Sequence, residues 1–122
     1  MTITGYNPVF YANDLEATLR WYEEQGFERK HAFEAGEMKY HVLEINKCRV
    51  DVFSNRLHQT EDGYFGMRVN VREFEEGLAY YQSCGYDQVV MEPVHTPSSV
   101  HVCLMNQKGD RILLFHHIRN HD

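Results

Sequence analysis

An internal repeat constrains the fold of this chain more than any other feature. Residues 7–27 (NPVFYANDLEATLRWYEEQGF) align without a gap with residues 66–86 (GMRVNVREFEEGLAYYQSCGY), at a constant offset of 59 residues. A duplicated unit forms the same local structure twice, so the repeat sets the architecture before any single motif does. Three of the matched pairs are Leu19 with Leu78, Tyr22 with Tyr81 and Gly26 with Gly85.

Each copy begins as a strand followed by a helix. Residues 7–12 carry the branched and aromatic side chains typical of a strand. Asn13 and Asp14 then offer a helix cap, leucines and a tyrosine follow at helical spacing, and Gly26 predicts the end of the helix. The second copy predicts a strand over 66–71 and a helix over 73–83.

Three antiparallel strands are predicted after each helix. A tight turn at Asn46 and Lys47 joins the last two strands of the first copy. The last strand recurs at an offset of 62, so the second copy is about three residues longer, and we expect the extra residues in a proline-containing loop over 92–99. The predicted strands are 28–33, 38–45 and 48–53 in the first copy, and about 86–92, 100–106 and 111–117 in the second.

Length and composition predict one domain. At 122 residues the chain is long enough to bury a core, and we divide residues 1–122 into module one (about 5–54), a polar linker (about 55–64) and module two (about 65–118). A net charge of −6 and a pI near 5.7 argue against nucleic-acid or anionic-membrane partners. With no signal-like or membrane-spanning stretch, we expect a cytoplasmic protein.

Side-chain alternation assigns two faces to each predicted sheet. One face is apolar and should pack on the helices. The other mixes polar and aromatic groups, which suits the lining of a solvated ligand cavity. From this second face we predict nine ligand-binding residues: Asn7, Tyr11, Arg49, Asp51, Phe53, Arg68, His101, Cys103 and Phe115.

With these features in hand, the sequence resembles the vicinal oxygen chelate superfamily, which includes glyoxalase I, extradiol dioxygenases, and fosfomycin and bleomycin resistance proteins. The resemblance covers essentially the whole chain and is most specific at 13–17, Trp21, Tyr22 and the turn 106–112 (NQKGDRI). It implies an α+β fold in which two tandem βαβββ modules form a curved mixed sheet, a half-barrel, with helices on the convex face and the ligand on the concave face. It also implies a homodimer.

The metal positions of that superfamily fall on Asn7, Asp51, Gly66 and Leu113 of this sequence. Only Asp51 is a good ligand, since glycine and leucine side chains donate nothing and a divalent transition metal needs about three imidazole, thiolate or carboxylate donors. Adjacent residues His116 and His117 face opposite ways on a strand, so they cannot chelate one ion. We therefore predict no metal and no cofactor.

Our leading hypothesis is a metal-independent small-molecule-binding protein of the glyoxalase and bleomycin-resistance type, with a small, aromatic or planar ligand. The alternative is a glyoxalase-like lyase or a dioxygenase-type enzyme with a non-standard metal site or an acid/base site. A structural or regulatory dimer without a ligand is a third reading.

Individual residues leave the same choices open. Arg49 and Asp51 lie two apart on one strand, as a polar anchor for a ligand, as an acid/base pair if burial shifts a pKa, or as an ion pair that stabilises the sheet. Cys103 would become a nucleophile if a neighbouring histidine lowered its pKa, but three cysteines without a CxxC motif are more typical of reduced, buried thiols. The aromatic residues would serve a ligand or a dimer interface equally well.

Overall fold

A computed structural model describes residues 1–35, 38–54 and 64–118, and both modules have the predicted order of one strand, one helix and three strands. The α+β class and the two βαβββ modules are thereby confirmed. Module one contains β1 (Ile3–Ala12), α1 (Leu15–Glu24), β2 (Glu28–Ala35), β3 (Met38–Ile45) and β4 (Cys48–Ser54). Module two contains β5 (Tyr64–Val71), α2 (Phe74–Ser83), β6 (Gln88–Thr96), β7 (Ser99–Met105) and β8 (Arg111–His117). The predicted linker residues 55–63 lie outside the described part of the chain.

The chain forms two compact units, Asn7–Phe65 and a second unit that joins Met1–Tyr6 to Gly66–Asp122. The first residues of β1 are therefore held by module two. The Arg72 N–H donates to the carbonyl of Thr2 over 3.0 Å, and the Thr2 hydroxyl donates to Glu73 over 2.8 Å. These contacts explain why β1 begins at Ile3, four residues earlier than the repeat predicts.

Within each module the first and last strands are parallel neighbours, and the remaining pairs are antiparallel. The strand order is β2-β3-β4-β1 in module one and β5-β8-β7-β6 in module two. Val9 lies beside Asp51 in the first parallel pair, and Arg68 lies beside Leu113 in the second. Parallel neighbours need a crossover connection, which in both modules contains the helix.

Each helix packs on one face of its own sheet, as the alternation predicts. In module one Leu19 and Tyr22 of α1 contact a buried cluster that includes Val50 and Val52. In module two Leu78 and Tyr81 of α2 pack against the corresponding apolar face, where Val69, Val71, Val102, Leu104, Ile112 and Leu114 are buried. Side-chain alternation puts Pro8 on the same face of β1 as Phe10, which packs against the module-one cluster, but Pro8 is exposed.

Helix ends and one tight turn follow the predicted local chemistry. Asp14 caps α1, since its carboxylate accepts the Ala17 N–H over 3.1 Å. Gly26 and Gly85 follow the two helices with φ of 105° and 104°, a left-handed conformation that glycine adopts without strain. Asn46 and Lys47 both have positive φ, as expected for a two-residue hairpin turn.

The prediction of a loop over residues 92–99 is wrong. Strand β6 continues to Thr96, and only Pro97 and Ser98 separate it from β7. Part of the additional length of module two lies in β6. The pairing of β6 with β7 contains two register shifts, whereas the pairing of β2 with β3 contains one. Pro93 is tolerated because β6 is the last strand in the order of its module, where a missing N–H does not interrupt a ladder on both sides.

Neither described helix combines the length and the apolar character that crossing a membrane requires.

The Asp14 cap yields a stability prediction. Replacing Asp14 with Ala removes the acceptor for the Ala17 N–H and should lower the free energy of unfolding by about 1 kcal/mol in urea titrations. Asp14→Asn keeps a side-chain oxygen at the cap and should lose much less. Equal losses in the two variants would contradict a capping role.

His41 yields a pH prediction. It lies opposite Val52, and its Nδ1 is buried with no hydrogen-bond partner among the described residues. Burial lowers the pKa of His41, nearby Arg29 lowers it further, and Glu16 opposes the change. The folded protein therefore favours neutral His41, so this contribution to stability is complete above the ordinary histidine pKa of about 6.5 and is lost as the pH falls.

Urea unfolding at neutral and mildly acidic pH measures the effect. We expect the wild-type protein to lose more stability than His41→Leu over this interval, because the variant has no imidazole to protonate. The same loss in both proteins would show that His41 does not cause the acid sensitivity.

Candidate functional site

The predicted ligand-binding residues of module one share the sheet face opposite α1. Parallel pairing places Tyr11 beside Phe53, and Asp51 lies two residues earlier on β4. Arg49 precedes it on the same face because side chains alternate along a strand. Strand pairing and side-chain alternation thus bring together four of the five ligand-binding residues that were predicted for module one.

Arg49 and Asp51 form a two-point ion pair. Arg49 Nε lies 2.8 Å from Asp51 Oδ1, and Nη2 lies 3.2 Å from Oδ2. The Asp51 side chain is fully buried, whereas 36% of the Arg49 side chain is exposed. The hydrogen bond that Arg49 donates to Asp51 raises the pKa of Arg49 and outweighs the opposing effect of burial, so the guanidinium stays charged.

The guanidinium has a second edge. Nε and Nη2 donate to Asp51, and within the described residues Arg49 makes no other hydrogen bond or ion pair. A guanidinium carries five N–H donors. Arg49 therefore combines an edge fixed by a buried carboxylate with N–H donors that Asp51 does not engage, on a side chain that is partly exposed.

A row of four aromatic rings crosses the sheet of module one beside this pair. Tyr40 stacks on Phe53 with centroids 4.5 Å apart and planes inclined by 5°. Phe33 stacks on the other side of Tyr40 at 4.7 Å, and Tyr11 contacts Phe53 at 6.2 Å. The row runs from fully buried Tyr11 to Phe33, which is 44% exposed.

Sequence reasoning missed Phe33. Its place in the row follows from the antiparallel register of β2 and β3, which puts it opposite Tyr40. The alternation of Phe33 with His31 on a predicted strand was a signal for a shared face, but the pairing partner depends on the register between β2 and β3, which the sequence does not specify.

Module two presents Arg68, His101 and Phe115 together on the face opposite α2. The Arg68 guanidinium carbon lies 3.9 Å above the Phe115 ring, a cation–π contact. His101 stacks parallel to the same ring, with centroids 5.2 Å apart and planes inclined by 5°. Only 1% of Arg68 and none of His101 is exposed.

Hydrogen bonds fix the position of the Arg68 guanidinium. Its Nε donates to Asn70 Oδ1 over 2.8 Å, and its Nη2 lies 3.1 Å from His117 Nε2. Because a guanidinium only donates, His117 Nε2 accepts, and the neutral ring carries its hydrogen on Nδ1. The contact between His117 and Arg68 was not predicted from the sequence.

Cys103 is completely buried and lies opposite Leu113 on the neighbouring strand. The nucleophilic role of Cys103 stays a prediction. Cys48 and Cys84 are exposed free thiols on other parts of the surface.

The family-type metal positions show no ligand cluster. Gly66 and Leu113 carry no donor atom, and the Asn7 amide donates to the carbonyl of Pro8 over 3.0 Å. Asp51 is engaged with Arg49. Across 1–35, 38–54 and 64–118, no three histidine, cysteine or acidic side chains converge in a way that could hold a metal ion.

The nine predicted ligand-binding residues are more buried than the solvated cavity lining that the alternation predicted. Eight of the nine predicted ligand-binding residues are buried, and Arg49 is the one that is partly exposed. The ligand-binding assignment of these nine residues stays a prediction.

Comparison with known proteins places the fold. No protein-family model and no curated protein sequence matches the chain. Solved structures do match: a glyoxalase/bleomycin resistance protein/dioxygenase superfamily member from Vibrio splendidus has a TM-score of 0.62 at 13% identity, covering 94% of this chain and 99% of its own.

Two further solved structures give similar agreement. Methylmalonyl-CoA epimerase from Mycobacterium tuberculosis has a TM-score of 0.65 at 14% identity, covering 93% of this chain and 88% of its own. A hypothetical protein from Bacillus halodurans has a TM-score of 0.69 at 12% identity, covering 98% of both chains. The chain therefore has the fold of the glyoxalase/bleomycin resistance protein/dioxygenase superfamily, which confirms the resemblance to the vicinal oxygen chelate superfamily at the level of the fold.

Proposed function

We propose that this protein is a metal-independent small-molecule-binding protein whose ligand is small and planar. The ligand contacts the module-one face formed by Arg49, Asp51 and the aromatic row. The observation that carries the proposal is the partly exposed Arg49 side chain, whose guanidinium is held on one edge by a fully buried carboxylate beside stacked rings.

The cost of burying charge supports a binding role for this pair. Apolar side chains of similar volume often stabilise a protein as well as a buried ion pair, or better. The pair thus adds little to stability that two apolar side chains could not. Asp51 does hold Arg49 in one orientation, which lowers the entropy that Arg49 loses when a ligand binds.

The aromatic row supports a planar ligand. Stacked rings offer flat apolar surface with a defined orientation, and the polar group at one side selects how a ligand lies on it. Asp51, which holds Arg49, lies two residues before Phe53 on β4, so the ring surface and the ion pair share one face of the sheet. A planar ring with an anionic or hydrogen-bond-accepting substituent matches this pair of surfaces.

Ligand screening with a matched pair of variants tests the proposal. A library of small planar aromatic compounds, including carboxylates, should contain members that raise the melting temperature of the wild-type protein. Such a compound at a hundred times its Kd adds about 2.7 kcal/mol of stability. Arg49→Lys preserves a cation beside Asp51 but removes the planar second edge, so affinity should fall about tenfold or more.

Arg29→Lys is the control. Arg29 also pairs with carboxylates, Glu16 and Glu23, but it lies apart from the aromatic row on the helix side of module one. Its replacement should leave ligand affinity unchanged. The proposal fails if no compound stabilises the wild-type protein, or if Arg49→Lys binds the selected compound as tightly as Arg29→Lys does.

Metal dependence separates this proposal from an enzyme with a non-standard metal site. Protein purified without a histidine tag should contain fewer than about one transition-metal ion per ten chains, because three convergent donors are needed for tight binding. Ligand-induced stabilisation should persist in excess EDTA. A stoichiometric metal whose removal abolishes ligand binding would favour the enzymatic alternative.

A further inference from the structure

Glu44 of β3 lies directly beside Arg49 on the proposed ligand face. The antiparallel register of β3 and β4 pairs Glu44 with Arg49 and Tyr40 with Phe53. Directly paired residues of neighbouring strands point to the same side of the sheet. The Glu44 carboxylate therefore shares its face with the Arg49 guanidinium and with the aromatic row. Sequence reasoning did not include Glu44 among the ligand-binding residues.

The Glu44 carboxylate has no close partner in the described part of the chain. Glu44 is partly buried, yet it accepts no hydrogen bond and joins no ion pair there. Asp51 is the main cause of the raised pKa of Arg49, and Glu44 contributes to it. A carboxylate that only balanced the charge of Arg49 would form an ion pair with it, as Asp51 does. Glu44 instead places an acceptor beside the N–H donors that Asp51 does not engage.

The next carboxylate in the same row is already neutralised. Glu28 of β2 lies opposite Glu44, and like charges on directly paired residues repel each other. Lys30 lies at the register shift between Arg29 and His31, and its Nζ is 2.8 Å from Glu28 Oε2. This hydrogen bond is the main cause of the raised pKa of Lys30. Glu28 thus has its own cation, whereas Glu44 has none in ion-pair contact among the described residues.

The neighbouring carboxylate limits what Arg49 can bind. A ligand carboxylate on the guanidinium would lie beside Glu44, and like charges at adjacent cross-strand positions are unfavourable. A neutral carbonyl oxygen accepts from Arg49 without that repulsion. Of the two kinds of substituent that match Arg49, an anion and a neutral acceptor, Glu44 therefore favours the neutral one.

We propose that the ligand is a neutral planar heterocycle with an acceptor and a donor on neighbouring atoms, as in a lactam, and that Glu44 selects it. This inference rests on the proposed function. The lactam carbonyl accepts from Arg49, and the lactam N–H donates to Glu44. A guanidinium only donates and an ionised carboxylate only accepts, so the pair also distinguishes the two ligand atoms from each other.

Strand geometry suits this arrangement. Neighbouring strands lie about 4.8 Å apart, and two long side chains on paired residues can narrow that separation to contact adjacent atoms of one small molecule. Asp51 holds Arg49 through Nε and Nη2, so the position of the donor is fixed before the ligand binds. Glu44 then supplies the second contact, which sets the orientation of the ring in its plane.

The selection has a physical basis in the cost of an unsatisfied carboxylate. A site that hydrogen-bonds a ligand N–H rejects an analogue without it, because the charged acceptor loses water and gains no partner. Glu44 is only partly buried, so water replaces part of the lost contact. We therefore expect discrimination of about tenfold or more, below that of a fully enclosed site.

Three planar probes of similar size test the proposal. Isoquinolone is a lactam, N-methylisoquinolone lacks the N–H, and naphthoate replaces the lactam by a carboxylate. Isothermal titration calorimetry should show that the wild-type protein binds isoquinolone about tenfold or more tightly than N-methylisoquinolone. Naphthoate should also bind more weakly than isoquinolone, because its charge lies beside Glu44.

Variants of Glu44 assign the effect to this residue. Glu44→Ala should bring the affinities for isoquinolone and its N-methyl derivative close together and should raise the affinity for naphthoate. Glu44→Gln keeps the size and a neutral acceptor, so its discrimination should be intermediate. Circular dichroism checks that each variant is folded.

Glu34→Ala is the matched control. It removes the same charge from an exposed residue of β2, and side-chain alternation with Phe33 directs Glu34 to the opposite face of the sheet. Its carboxylate lies 3.6 Å from Lys39 Nζ. This variant should keep the wild-type preference among the three probes.

The outcomes separate this inference from the proposed function. Equal binding of isoquinolone and N-methylisoquinolone, tighter binding of naphthoate, or the same preference in Glu44→Ala and Glu34→Ala would overturn the role of Glu44 and leave a planar ligand in place. The inference alone also fails if isoquinolone does not bind while another planar compound of the library does. If no planar compound binds the wild-type protein, both proposals fall.

Discussion

Each module depends on the parallel pairing of its first strand with its last. This pairing puts Val9 beside Asp51 in module one and Arg68 beside Leu113 in module two. A parallel neighbour can be reached only by a crossover, and the helix in that crossover covers one face of the sheet. Alternation then sends the apolar side chains to the helix and the polar and aromatic ones to the other face. One constraint thus sets both the core and the candidate site.

The duplicated modules keep one ring geometry and change its chemistry. Tyr40 stacks on Phe53 in module one, and His101 stacks on Phe115 at the equivalent position of module two, each with planes inclined by 5°. The first strand adds Tyr11 to the row of module one, whereas module two has Asn70 there. Module one therefore offers mainly flat apolar surface, and module two offers a row of mixed polarity.

The sequence predicted local structure well because the relevant interactions are local. The Asp14 cap, the glycine after each helix and the turn at Asn46 involve residues within a few positions of one another. The loop over 92–99 was predicted wrongly because proline is rare in strands, and the exception depends on β6 being an edge. Phe33 was missed because its stacking partner is set by the register between two strands, which is not a local property of the sequence.

Burial was the least predictable property of the candidate site. Alternation identifies which face a residue occupies, but it does not say whether water reaches that face. Arg68 is satisfied by Phe115, Asn70 and His117, and this network holds a charged group at 1% exposure. Apolar residues would fill the same volume without the desolvation cost. Such polar groups therefore fix donors and acceptors in place more than they stabilise the fold, and of the predicted set Arg49 is the one with a donor edge near solvent.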